Sequence, residues 1–158
     1  MAKKNEKTNV MRLLDSRKIA YAAHAYEPDA TRTGEEIAAL LGEDPQRVFK
    51  TLVTQGKSGQ HYVFVIPVQA ELDLKKAARV AGEKAIGMIP QKELLPLTGY
   101  VHGGCSPLGM KKPFPTFFHE TAETLPRMFV SAGRVGFQIE AAPLDLVRAS
   151  GGAFADLV

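Results

Sequence analysis

Lys50 lies inside an apolar run, Val48-Phe49-Lys50-Thr51-Leu52-Val53. Read as a strand, the run puts Lys50 on the same face as Val48 and Leu52. An ammonium among apolar neighbours is costly to bury without a partner, so Lys50 is a candidate functional cation. An edge-strand lysine with a packed stem and a head in water fits the same pattern. Further along, Gly103-Gly104-Cys105-Ser106-Pro107 can present successive backbone N–H groups to an anionic or carbonyl oxygen. Glycine permits the close approach and proline fixes the exit of the turn. Such donors stabilise the oxyanion that forms when an ester carbonyl is attacked; a purely structural turn is the other reading. Lys75-Lys76 and Lys111-Lys112 are paired cations that can meet the phosphates of an RNA end or simply face solvent.

Other chemistries find no pattern. His24, His61, His102 and His119 are scattered, and no Cys-x-x-Cys or His-Glu-x-x-His occurs, so no metal site is expected. Gly104 and Gly109 have phosphate-loop spacing, but Met110 stands where that loop needs lysine. Ser106 is followed by Pro107-Leu108, not by the residue-then-glycine of a serine-nucleophile elbow. No cofactor is implied.

The elements that must position these residues fit one domain spanning residues 1–158, with 45% hydrophobic composition to build its core. Net charge is only +3, so any contact with RNA is local. Cys105 is the single cysteine, which excludes an internal disulfide and fits a reducing compartment; its bland reading is a small buried hydrophobe. Met1 to Lys7 carries three lysines without a following apolar run, unlike a signal peptide, and no stretch approaches the roughly 18 apolar residues of a membrane span. A cytoplasmic protein is expected.

Thr8 or Asn9 caps a helix to about Arg17, and Ile19 to Tyr26 reads as a strand. Thr33 and Glu36 form a capping box for a helix closed by Gly42, with Ile37, Leu40 and Leu41 facing the core. Asp44-Pro45 starts another helical turn before the Lys50 strand. The polar turn Gln55 to Gln60 joins that strand to His61 to Val68 as a central hairpin. Asp73 caps a helix over Leu74 to Val80, Ala85 to Ile89 reads as a short strand, and Pro90 to Leu95 as a short helix. Three glycines and three prolines make Tyr100 to Pro115 a shaped loop. Met128 to Ser131 and Val135 to Ala141 are strands around the turn Ala132-Gly133-Arg134, and Pro143 opens a last helix. The class is α+β.

Four segments together resemble the YbaK/EbsC family of aminoacyl-tRNA editing domains, in particular its cysteinyl-tRNA(Pro) deacylases. They are Val48 to Leu52; Leu72-Asp73-Leu74-Lys75-Lys76; Thr98 to Tyr100 with Gly103 to Lys112; and Val130 to Arg134 with Ile139-Glu140. The resemblance covers nearly the whole chain. It implies a mixed, partly barrel-like β-sheet surrounded by helices, related to the editing insertion of bacterial prolyl-tRNA synthetases. It places the family's essential lysine at Lys50 and its substrate-binding Gly-x-x-x-Pro loop at Gly103 to Pro107, and it carries Tyr26, Thr51 and Ser131 over as pocket residues. The activity implied is metal-free deacylation of mischarged tRNA, most readily cysteinyl-tRNA(Pro), with prolyl-tRNA synthetase as a partner and the substrate thiol attacking its own ester. Lys50 would hold the terminal phosphate, stabilise developing charge or act as a base. Thr33 and Gln138 depart from aromatic and acidic residues found in some relatives, which bears on amino-acid preference. A deacylase for another small amino acid such as alanine, and a non-catalytic module binding tRNA ends or a synthetase, are the alternatives.

Overall fold

Most of the turns that the sequence writes with caps are where the chain turns. The computed structural model describes residues 6–158; most of the lysine-bearing segment Met1 to Lys7 therefore lies outside the described residues. Thr8 accepts a hydrogen bond from the Met11 amide and opens α1 (Asn9–Ser16). The strand read from Ile19 is confined to β1 (Ala22–Ala25). Thr33 and Glu36 close a reciprocal capping box on α2 (Gly34–Leu41), and Gly42 ends it in the left-handed conformation. Asp44 caps a 3-10 turn (Pro45–Arg47) that leads into β2 (Phe49–Gly56) and β3 (His61–Pro67). After these come α3 (Leu74–Ala81), β4 (Ile86–Met88) and, beyond a 3-10 turn, α4 (Leu94–Thr98). The chain finishes with β5 (Thr116–His119), β6 (Met128–Ser131), β7 (Phe137–Ala141), α5 (Pro143–Ser150) and β8 (Ala153–Ala155).

Among the described residues the strands form two sheets, β4-β2-β3-β5-β8 and β1-β7-β6. β2 and β3 are antiparallel, from Phe49 opposite Pro67 to Gln55 opposite His61. β3 is buried on both faces, which is why it reads as an unbroken apolar run. Val63 and Val65 join Leu14, Phe118, Val130 and Ile139 in the main core, while Phe64 and Ile66 pack with Ala77, Ala78 and Leu157 on the other side.

Besides their shared core, the sheets are linked among the described residues by one isolated parallel bridge, between Val48 and Phe129. They do not close into a barrel. β2 pairs with β4 only from Thr54 to Gly56, so on the side away from β3 its Lys50 to Leu52 stretch has no paired strand among the described residues, although β6 passes close by. That gap is where the site forms.

Two readings of the sequence need correction, and two strands escape it. α2 buries Ala38, against Val48, Val68 and Phe129, whereas Leu40 is 53% exposed and Ile37 and Leu41 are only half-buried. A short helix lying over a thin cluster turns only one small residue, Ala38, fully inward. The strand read from Val135 begins at Phe137, because Gly136 holds φ 97° and prolongs the preceding turn. β5 and β8, both in parallel pairings, are not announced by the sequence at all.

The C-terminal strand is held by His119, which is buried and accepts the Leu157 amide on Nδ1 at 3.1 Å. Burial pushes the His119 pKa down, against the opposing pull of Asp156 and Glu120. The unfolded chain therefore takes up a proton near pH ~6.5 before the native one does. This contribution to stability is present above that value and lost as pH falls through the lowered native pKa. Urea denaturation should show stability falling between neutral and mildly acidic pH, with the Leu157 amide losing exchange protection. In His119→Gln, whose side-chain carbonyl accepts without titrating, that part of the pH dependence should disappear.

Candidate active site

The gap beside β2 opens into a cleft of about 400 Å³. Its walls come from β2 (Lys50, Thr51), the end of β1 (Tyr26), the loop into α2 (Thr31, Arg32, Thr33), the 102–105 loop, and the β6–β7 hairpin (Ser131, Phe137, Gln138). Lys50 is half-buried at this opening, and among the described residues no ion pair engages its ammonium. Val48 and Leu52 flank it along the strand and line the same cleft.

The glycine loop is fixed from within. The Tyr100 hydroxyl donates to the Leu108 carbonyl, the Leu108 amide donates to Ser106 Oγ at 3.3 Å, and the Gly104 amide donates to the Val101 carbonyl at 3.0 Å. Lys111 closes the loop by donating its amide to the Thr98 carbonyl at 3.0 Å. Gly103 holds φ 86°, and a Cβ on Gly104 would stand 2.9 Å from the Val135 nitrogen, so each position needs glycine for its own reason.

Of the residues expected at the site, Tyr26, Lys50, Thr51, Gly103, Cys105 and Ser131 share the cleft. Gly104, Ser106 and Pro107 do not line it. Gly104 is packed on the Arg134–Val135 backbone, Ser106 is fully buried bracing Leu108, and Pro107 faces a second cavity on the far side of the loop. The row of successive donors thus reduces to the amides of Gly103 and Cys105, which donate to no protein acceptor among the described residues. Ser131 has a second task, accepting the Gly133 amide at 3.2 Å. Of the paired lysines, Lys76 is engaged with Asp156 at 3.0 Å and with the Val158 carbonyl at 2.6 Å.

Burial pushes the Cys105 thiol up to about 12, which keeps it protonated. Tyr26 is likewise pushed up by burial. No cluster of three potential metal ligands occurs among the described residues. Arg32, His102, Phe137 and Gln138 also line the cleft, and only Gln138 had been marked by the sequence, through its departure from relatives. Five buried side-chain atoms lack a hydrogen-bond partner among the described residues: Arg32 Nη1, both Glu43 carboxylate oxygens, Thr51 Oγ1 and Gln138 Oε1. Those of Arg32, Thr51 and Gln138 belong to residues of the cleft wall. Buried polar atoms normally find partners, so three cleft residues that each hold one without a partner leave unused hydrogen-bonding capacity just beneath this wall.

The model of the aminoacyl-tRNA editing domain family matches residues 28–149. The chain belongs to this family. The editing domain is 43% identical over 160 residues to EbsC of Enterococcus faecalis (strain ATCC 700802 / V583), described as a Cys-tRNA(Pro)/Cys-tRNA(Cys) deacylase; the match spans 99% of this chain and 98% of that protein. A solved structure described as a trans-editing enzyme for prolyl-tRNA synthetase superposes on the editing domain with a TM-score of 0.80 at 28% identity, covering 96% of this chain and 98% of that one. A proline–tRNA ligase of Thermosipho melanesiensis (strain DSM 12029 / CIP 104789 / BI429) is 32% identical over 80 residues, half of this chain but 14% of the ligase.

Glu43 stands behind this cleft in the editing domain, facing Gln138, and burial raises its pKa. The carboxyl holds its proton more tightly in the native than in the unfolded chain, where it titrates near ~4.3. Its contribution to stability is complete below that value and is lost as pH rises through the raised native pKa. Glu43→Gln should therefore be more stable than the parent at neutral pH, with the difference shrinking toward pH 4. Urea melts of both proteins across this range measure it.

Proposed function

We propose that this editing domain hydrolyses the ester joining cysteine to the terminal ribose of proline-specific tRNA, and that Lys50 is its principal catalytic residue. The observation that supports this best is that Lys50 lines one cleft together with Gly103 and Cys105, whose amides donate to no acceptor among the described residues. A developing oxyanion needs preorganised donors and positive charge in a site shielded from water, and these groups supply both. The near full-length likeness to EbsC points to cysteine as the amino acid.

In this reading the side chains of Thr51 and Gln138, whose Oγ1 and Oε1 have no partner among the described residues, turn to accept hydrogen bonds from the substrate's α-ammonium. Tyr26 and Ser131 shape the wall around the side chain. The substrate thiol gives up its proton and its sulfur attacks the ester carbonyl carbon. A C–S bond forms, the C–O bond to the ribose breaks, and the proton ends on the ribose oxygen. The released thiolactone is then opened by water. Cys105, held as a neutral thiol, takes no covalent part.

Editing of this kind is needed because a synthetase pocket separates near-isosteric side chains by only ~1–3 kcal/mol. The domain is proposed to act in the cytoplasm and to borrow tRNA selectivity from prolyl-tRNA synthetase, which suits a net charge of only +3. A mischarged tRNA is its substrate.

Lys50→Ala should lower single-turnover deacylation by about 10²-fold or more, the scale of losing one preorganised electrostatic contact at ~2.7–4 kcal/mol. Thermal stability should hold or rise, because a half-buried ammonium is removed. Lys50→Arg should not restore full activity, since a planar fork does not replace a compact charge in a tight cleft. A folded alanine variant with the wild-type rate would remove Lys50 from catalysis, whereas a wild-type protein that binds cysteinyl-tRNA(Pro) and releases no cysteine would leave a module that only binds tRNA ends. Seryl-tRNA(Pro) should be cleaved far more slowly than cysteinyl-tRNA(Pro) at matched binding; rapid release of serine would point to attack by water.

A further inference from the structure

Arg32 lines the cleft from the loop between Tyr26 and α2, and that loop is built to present it. Asp29 Oδ1 accepts both the Thr31 amide at 2.9 Å and the Thr31 hydroxyl at 2.6 Å, and the Asp29 carbonyl accepts the Arg32 amide at 3.2 Å. The carboxylate committed to this turn reaches the guanidinium only at its edge, with Asp29 Oδ2 4.0 Å from Arg32 Nε. Arg32 Nη1, on the other side of the fork, is buried and has no acceptor among the described residues. A guanidinium nitrogen taken out of water without an acceptor is costly, and arginine forks suit anions that offer two oxygens.

The chemistry of the substrate class narrows what that anion is. In an aminoacyl ester the carboxylate has been consumed by the ester bond and the α-amino group is cationic. The negative charges that a charged tRNA end brings to the cleft are its phosphodiesters. From a cleft-lining arginine whose buried Nη1 has no acceptor among the described residues we infer that Arg32 turns its fork to the phosphodiester 5′ to the terminal adenosine, leaving Lys50 to the carbonyl. The assignment rests on the deacylase reading above and divides the work between two cations: Arg32 fixes the nucleotide, and Lys50 meets the reacting centre. It makes Arg32 a substrate-binding residue that responds to the nucleotide's phosphate and not to the amino acid.

The test compares two small substrates, 3′-O-cysteinyl adenosine with a free 5′-hydroxyl and the same ester carrying a 5′-methyl phosphate. The wild-type domain should prefer the phosphorylated ester in kcat/KM by roughly 10- to 100-fold, as expected for a charge-assisted hydrogen bond. In Arg32→Gln that ratio should collapse to about one, with Arg32→Lys, which keeps the charge and loses the fork, in between. Binding of adenosine 5′-(methyl phosphate) against adenosine, by calorimetry with both variants checked for folding, reads the same ratio without any turnover. If neither ester is hydrolysed, the cysteine deacylase reading fails while the binding ratio still decides on Arg32. A wild-type ratio near one, or a ratio that survives in Arg32→Gln, overturns the assignment.

Discussion

The register between β2 and β3 is the constraint on which the cleft depends. Lys50 lies opposite Ile66, with Phe49 and Val53, one and three residues away, in the main core. Side chains alternate along a strand, so a slip of one residue would turn the ammonium toward that core and bring core residues out into the cleft. The register is pinned on both faces at once, because β3 carries Val63 and Val65 into one cluster and Phe64 and Ile66 into another. A cation can be carried at this place because burial of its neighbours leaves the strand no alternative.

The second requirement is that the sheets stay open. The Val48–Phe129 bridge joins them at one end of the Lys50 stretch, and β4 covers β2 only beyond it. The cleft is the interval between these two attachments. α2 and the 102–105 loop wall it without closing it. The loop in turn leans on the β6–β7 hairpin through Gly104, whose bare Cα allows the Arg134–Val135 backbone to pass close by. Strand, hairpin and loop thus set one another's positions around a shared space.

Residue type made some of this visible in the sequence. A lysine within an apolar strand and a loop dense in glycine and proline are local anomalies, and both line the cleft. Caps such as Thr8, Thr33 and Asp73 were equally legible, since they act on amides two or three residues away. What the sequence concealed depends on distant partners. β5 is four residues long and follows Phe114-Pro115, and it exists because β3 and β8 lie parallel on either side of it. No tight turn advertises such a pairing. Arg32 was silent because its significance lies in an unpartnered nitrogen, which only the packed structure reveals. The apolar stripe of α2 misled in the opposite way, promising a core contact for Leu40 that the thin layer beneath the helix does not provide.

The burial of Cys105 also bears on redox traffic. Disulfide exchange proceeds through whichever partner is ionised, so a thiol lining an open cleft matters only as far as it ionises. With its pKa pushed up to about 12, Cys105 offers almost no thiolate at neutral pH. A disulfide-bearing small molecule that enters the cleft therefore meets a poor nucleophile.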